Sequence, residues 1–259
     1  MDLTAILKSA ILGVVQGLTE FLPISSSGHL IAAKEILESE ASLAFDVALH
    51  VATLAAVVSY FWRDLLELAV HPRRFPLLAL LALATIPGAT LGLLLGDWRE
   101  TISPWYAVYG WFFSASYLLS SRGKGGNAHF TELGPLRALG IGLAQSLAIF
   151  PGVSRSGSSI VCGLYLGLKR ESAARFSFIL SIPLILGAGL KSSMDLNAKT
   201  IADAGGLLAI SFGMVLAFLV GLGALHLLFR IVRSEKFSLF GWYNLLAAIS
   251  FGAYLFLRA

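Results

Sequence analysis

Charge is what this chain has least of. Only 13% of its 259 residues are Asp, Glu, Lys or Arg, where a soluble domain carries about a quarter. That shortage excludes an ordinary water-soluble globule. A single cysteine, Cys162, excludes an intramolecular disulfide and leaves the redox compartment open. The chain has no Walker phosphate loop, no Rossmann glycine fingerprint and no soluble region to hold a nucleotide base. The opening MDLTAILK has neither a basic n-region nor a small-residue cleavage site, so it reads as mature sequence rather than a signal peptide.

What is present is apolar: 57% hydrophobic residues and a mean hydropathy of +0.80. Residues 76–96, 101–121, 204–229 and 237–257 contain no charged side chain, and each can cross ~30 Å of hydrocarbon as a helix. Residues 45–62 and 176–190 are shorter candidates, which makes six spans. The net charge of +4 comes from Lys and Arg in loops. They read as topology signals and not as a nucleic-acid surface. Trp62, Trp98, Trp105 and Trp242 suit the interfacial belt.

The two halves of the chain resemble each other. GVVQGLTEFLPISSSG (13–28) aligns without gaps to GLAQSLAIFPGVSRSG (142–157), an offset of 129 residues. Gly13, Gln16, Leu18, Phe21, Ser25, Ser27 and Gly28 meet identical residues. The polar matches fall in register, so this is an internal repeat of the kind transporter-like membrane folds carry.

Each half then holds one interrupted polar segment and three clean spans. Three is odd, so the second half inserts inverted. The loops at 63–75 and 230–238 carry Arg63, Arg73, Arg74, Arg230, Arg233 and Lys236, which places them in the cytoplasm. The opposite loops, 97–103 and 192–203, carry only Arg99 and Lys199, and both termini face outward. Residues 5–22 are helical in pattern, Pro23 ends that helix, and HLIAAKEIL is too short to cross. A helix, a polar turn and a short helix make a re-entrant hairpin, and irregular backbone at membrane depth survives only where it lines a protein cavity. The expected fold is therefore an all-α polytopic membrane protein with six transmembrane helices and two re-entrant hairpins, 2–37 and 135–170. It forms one domain, residues 1–259, of two inverted repeats (about 1–128 and 129–259). The Ser-rich tips should meet inside the membrane.

Each tip is a turn opening a helix, with Ser26 or Ser27 placed to cap one and Ser156 or Ser158 the other. Helix-start N–H groups, tight glycine turns and serine hydroxyls make an anion site. Arg155 adds a fork of donors that matches phosphate. An arginine near the bilayer centre costs ~2.5–3.5 kcal/mol on insertion scales, so it needs a counter-ion or an anionic ligand. Gln16 and Glu20 share a helix face before the first tip. Glu20 is a structural partner for Arg155, a general acid/base or a metal ligand. His29 follows Ser26 by three residues, close enough for its ring to approach the hydroxyl. Asp46 and His50, one turn apart, pair with each other or line the same cavity. Inorganic phosphate, a nucleotide or a lipid phosphate could fill such a site, and a long-chain lipid entering sideways from the bilayer fits best.

At these residues the chain closely resembles the undecaprenyl-diphosphate phosphatase family, the bacitracin-resistance type. QGLTEFLPISSSGH and PGVSRSG match its two signatures, and the resemblance runs from about residue 5 to the C-terminus. It implies hydrolysis of undecaprenyl diphosphate to the monophosphate in the bacterial plasma membrane, at a site open to the outer face. That reaction recycles the carrier lipid for envelope polymers. The resemblance also implies a divalent cation, Mg2+ or Ca2+, with Glu20 as a ligand. Carried over by position, Glu20, Ser26, His29 and Arg155 form the catalytic set. Gln16, Ser25, Ser27, Ser154, Ser156 and Gly157 lie beside the phosphate. Where many members have a second carboxylate this chain has Gln16, so a cation would need the diphosphate oxygens as its main ligands. The expected partners are the lipid substrate and membrane lipids, with no nucleic acid. Inverted repeats with broken helices describe an alternating-access flippase of a phosphorylated lipid equally well.

Overall fold

The computed structural model describes residues 3–39, 43–95, 102–193 and 206–258. Among them every regular element is helical. In order these are α1 (Leu3–Phe21), α2 (Ser26–Leu37), α3 (Leu43–Tyr60), α4 (Trp62–Val70), α5 (Phe75–Leu95) and α6 (Trp105–Ser120). The second half supplies α7 (Pro135–Ser146), α8 (Arg155–Tyr165), α9 (Arg170–Ser193), α10 (Gly206–Arg233) and α11 (Leu239–Arg258). Trp98, Arg99 and Lys199, used above for belt and topology, lie outside the described residues.

Five described helices are long and apolar enough to cross a membrane: Leu3–Phe21, Pro72–Leu95, Arg170–Lys191, Gly206–Arg233 and Lys236–Arg258. A sixth appears if Phe45–Tyr60 and Trp62–Val70, bent by 72°, count as one span. This set differs from the expected one in two places. It includes α1, whose 19 residues tolerate Lys8 and Glu20 at opposite ends. It omits the run at 101–121, because helix α6 occupies only 16 residues of it, about 24 Å at 1.5 Å per residue. The break between α3 and α4 falls at Phe61, after which Arg63, Asp64 and Glu67 make continued burial in hydrocarbon unfavourable.

The halves interlock by exchanging partners. Helix α1 packs along α10 of the second half, while α7 packs along α5 of the first. Small residues permit both approaches. A Cβ added at Gly13 would collide with the carbonyl oxygen of Gly213, and one at Gly142 with that of Ala84. Gly13 and Gly142 are 129 residues apart, and so are Ala84 and Gly213. Helix α3 meets both α9 and α10, and α6 pairs with α11. Phe21, Phe61, Phe178 and Phe229 form a buried aromatic block between these helices, with Phe21 and Phe178 edge-to-face at 5.8 Å. This block is the floor on which the site stands.

Candidate active site

The two helix–turn–helix segments expected from the sequence are present, and their tips touch. Residues 22–25 separate α1 from α2. A 3-10 turn, Leu147–Ile149, and residues 150–154 separate α7 from α8. The caps fall earlier than expected. Ser25, not Ser26 or Ser27, accepts from the Gly28 N–H at 3.4 Å. Ser154, not Ser156 or Ser158, accepts from Gly157 N–H at 3.1 Å. An N-cap oxygen reaches the N–H three residues on, and the helices start at Ser26 and Arg155, so only the preceding serine has the right register. Ser27 and Ser156 instead lie 3.2 and 3.3 Å from those capping hydroxyls. This arrangement frees the Ser26 hydroxyl from capping.

The tips need unusual backbone. Ser25 has φ 67°, and Gly152 takes φ 83° in the second tip. A non-glycine residue there costs about 1–3 kcal/mol and persists only where its surroundings over-determine it. They do. The Ser25 carbonyl accepts from the His29 N–H at 3.2 Å. The carbonyl of Ile24 takes the Trp111 indole N–H at 2.8 Å, that of Pro23 the Asn244 amide at 2.9 Å, and that of Gly152 the Ser114 hydroxyl at 2.9 Å. Tyr117 donates to the Ser154 carbonyl at 3.1 Å. Sequence reasoning missed these four side chains. A signal existed for one of them, since Asn244 is the strongest hydrogen-bonding residue within the uncharged run 237–257 and is fully buried.

Glu20 is the hub. Its Oε2 accepts from the Ser26 hydroxyl at 2.6 Å and from Gln16 Nε2 at 3.0 Å. Its Oε1 accepts from Arg155 Nη2 at 2.5 Å, joining the first tip to the second. The ion pair compensates a carboxylate that is 7% exposed. Arg155 also lies over Phe178, 6.0 Å from the ring centre, which holds its plane. Its Nη1 is buried and has no partner among the described residues.

The histidine beside this carboxylate is His50, and the His29 ring, expected at the Ser26 hydroxyl, is held elsewhere. His29 Nδ1 lies 2.8 Å from the Ser25 carbonyl and Nε2 lies 2.9 Å from the Tyr243 hydroxyl. Its ring packs edge-on against Trp111, 4.9 Å between centres. Both ring nitrogens are thereby used in holding the first tip. His50 instead places Nε2 3.5 Å from Glu20 Oε2, with Nδ1 2.7 Å from the Asp46 carbonyl. Asp46 pairs with Lys34 at 2.6 Å rather than with the His50 ring.

A cavity of about 310 Å³ opens over these groups. Glu20, Ser25, Ser26, Ser27, Ser154 and Arg155 line it, as do Asp46 and His50, so that open pair is resolved as cavity-lining. Four expected site residues stand behind the wall: Gln16 on Glu20, His29 on Tyr243, Ser156 donating to the Leu22 carbonyl at 3.4 Å, and Gly157 under the Ser154 cap. Apart from Thr19, Gln145, Ser146 and Ser181, the rest of the lining is apolar, including Leu30, Val47, Ile149, Leu184 and Ile185. The chemistry on offer is a hydroxyl against a carboxylate, a guanidinium with a free edge, and two converging helix N-termini, next to greasy walls. A resident metal does not fit. Both Glu20 oxygens are occupied, and no group of three His, Cys, Asp or Glu able to hold a metal ion occurs among the described residues.

Fold and site together define a multi-pass, all-helical membrane protein with a buried site suited to a phosphorylated apolar ligand. The chain belongs to the BacA family: residues 9–250 match the family described as bacitracin resistance protein BacA. Curated relatives carry the name undecaprenyl-diphosphatase. The protein from Methanosphaera stadtmanae is 39% identical, over 92% of this chain and 94% of its own. That from Rubrobacter xylanophilus is 39% identical over 97% and 99%. A relative from Alcanivorax borkumensis reaches 44% over 78% and 82%.

Proposed function

We propose that this chain hydrolyses undecaprenyl diphosphate to undecaprenyl phosphate and inorganic phosphate, recycling the carrier lipid and conferring bacitracin resistance. Family membership and the relatives' shared name support the reaction. The observation that carries it chemically is the Ser26 hydroxyl held 2.6 Å from the Glu20 carboxylate, beside an arginine nitrogen with no partner among the described residues. Ser26 Oγ attacks the terminal phosphorus as Glu20 takes its proton. The bridging P–O bond breaks, and the lipid monophosphate leaves with the electron pair. Arg155 Nη1 and the first-turn N–H groups of α2 and α8 neutralise the phosphoryl oxygens. Water then attacks the phosphoserine, Glu20 returns its proton to Ser26, and phosphate departs. Geometry favours Glu20 over His29 as the base, since only Glu20 touches the hydroxyl. A divalent cation, Mg2+ or Ca2+, is assigned to the diphosphate oxygens and not to a protein centre, and none of these steps passes through it.

A flippase remains the competing reading. Phosphate release by purified protein in detergent micelles separates the two, because transport has no meaning there. We expect stoichiometric phosphate from a prenyl diphosphate, and intact substrate after prolonged incubation would leave the transporter.

The same proposal includes the arrangement: six spans plus two re-entrant hairpins as inverted repeats, in a bacterial plasma membrane, with the site open outward. The partner exchange of α1 and α7 supports it. On a Cys162→Ala background, an impermeant thiol reagent applied to intact cells should label Glu100→Cys and spare Val70→Cys. Labelling at 70 with none at 100 reverses the orientation.

A further inference from the structure

Gln145 is 2% exposed, and neither its Nε2 nor its Oε1 has a hydrogen-bond partner among the described residues. A buried amide in this condition opposes folding. Gln145 nonetheless lines the cavity, together with Arg155, whose Nη1 is the other buried donor there without a partner.

The repeat explains how the amide came to be free. Gln16, 129 residues earlier, donates Nε2 to Glu20 at 3.0 Å. The position equivalent to Glu20 in the second half is Ile149, so Gln145 has no carboxylate one turn on. The same offset sets Arg155 opposite Ser26. Two equivalent hairpins have therefore become chemically unlike. The first carries the attacking hydroxyl and its base, while the second carries a cation and an idle amide in the corresponding places.

We infer that the Gln145 amide, on the same hairpin as Arg155, forms a subsite for the second phosphate of the substrate, the one that stays on the lipid. The inference rests on the diphosphate-hydrolase reading of the same cavity. In-line attack by Ser26 drives the leaving phosphate away from the first hairpin, where it must meet donors from elsewhere. Gln145 and Arg155 sit on the hairpin that does not carry Ser26. The amide offers a donor for a phosphate oxygen and an acceptor for a protonated oxygen or a water. Arg155 supplies charge where charge develops as the bridging bond breaks.

Gln145→Met tests this by removing both polar ends at similar side-chain length. The readouts are inhibition of the detergent-solubilised enzyme by inorganic pyrophosphate and by inorganic phosphate, and the thermal midpoint. In the wild type, pyrophosphate should bind more tightly than phosphate. The variant should lose about tenfold or more in pyrophosphate affinity, as expected for a hydrogen bond to a charged group. Its inhibition by phosphate should change less than about twofold. The midpoint should rise, because an unpartnered amide has gone. Unchanged pyrophosphate inhibition would overturn the subsite, whatever the midpoint does. Equal losses for both anions would also overturn it, placing Gln145 at the attacked phosphate. Should Gln145→Met not accumulate, Gln145→Glu serves: it repels the second phosphate, and wild-type pyrophosphate inhibition in it overturns the subsite. Wild-type protein that releases no phosphate from a prenyl diphosphate takes down the hydrolase reading and this one together, a failure visible without any variant.

Discussion

Replacing Ser26 with alanine is expected to lower kcat by more than about 10³-fold, the scale seen when a nucleophile is lost. Binding should survive. The groups assigned to the phosphate are Arg155 Nη1 and backbone N–H groups, and none depends on the Ser26 hydroxyl. Inhibition by pyrophosphate should therefore stay within a small factor of wild type. The fold should hold too, since the tip is capped by Ser25 and not by Ser26. Glu20 loses one of several donors and keeps Arg155 and Gln16. Acid quenching of the wild type during turnover should trap a phosphoserine at residue 26. Substantial turnover in Ser26→Ala, or a trapped phosphohistidine at residue 29, would move the attack to His29 or to water. The structure sets a demanding condition for the histidine route, because the His29 ring would first have to leave Tyr243 and the Ser25 carbonyl.

The second large effect is expected at Arg155. Its guanidinium pairs Nη2 with Glu20 at 2.5 Å and leaves Nη1 buried without a partner among the described residues, on a side chain that lines the cavity. Lysine keeps the charge but has a single ammonium on a flexible stem. In Arg155→Lys that ammonium can satisfy Glu20 or the phosphate, without the planar fork that serves both. We expect kcat/KM to fall about 10²- to 10³-fold, with the protein still inserted and running as a single species in size-exclusion chromatography. Near-normal turnover would demote Arg155 to a counter-ion for Glu20. Arg155→Ala should be worse for stability, because it strands a buried carboxylate, a loss of about 3–5 kcal/mol. Comparing the two separates the electrostatic role from the phosphate-binding one.

Much of the outline was legible because it is local. A charge-free run of twenty residues dictates a span wherever the chain folds, and Pro23 ends a helix for steric reasons alone. The interruption at PISSSG and PGVSRSG was visible as polar residues in an apolar chain, and the offset of 129 came from their register. Where spacing was the only guide, readings went astray by a residue or a rotamer. Capping was assigned to Ser26 or Ser27 and to Ser156 or Ser158 because any serine near a helix start can cap. The actual start, one residue after Ser25 and Ser154, is set by carbonyls tied to Trp111, Asn244 and Ser114 on other helices. Helix α6 proved shorter than its apolar run, since composition bounds a span without saying where its hydrogen bonds stop.

The sequence by itself determined that this is an apolar, repeated, membrane-spanning chain with two polar tips carrying a serine, a glutamate and an arginine. Hydropathy, proline sterics and residue identity suffice for that, since each acts within a few residues. Only the tertiary structure decided which of those groups touch. Glu20 meets Arg155 across 135 residues of chain, and the His29 ring is claimed by Tyr243, 214 residues away. His50, left open between two roles, arrives at Glu20 because α3 packs beside α1. Gln145 is left without a partner among the described residues because Ile149 stands where its counterpart finds Glu20. Side-chain direction follows from long-range packing, and no local pattern encodes it.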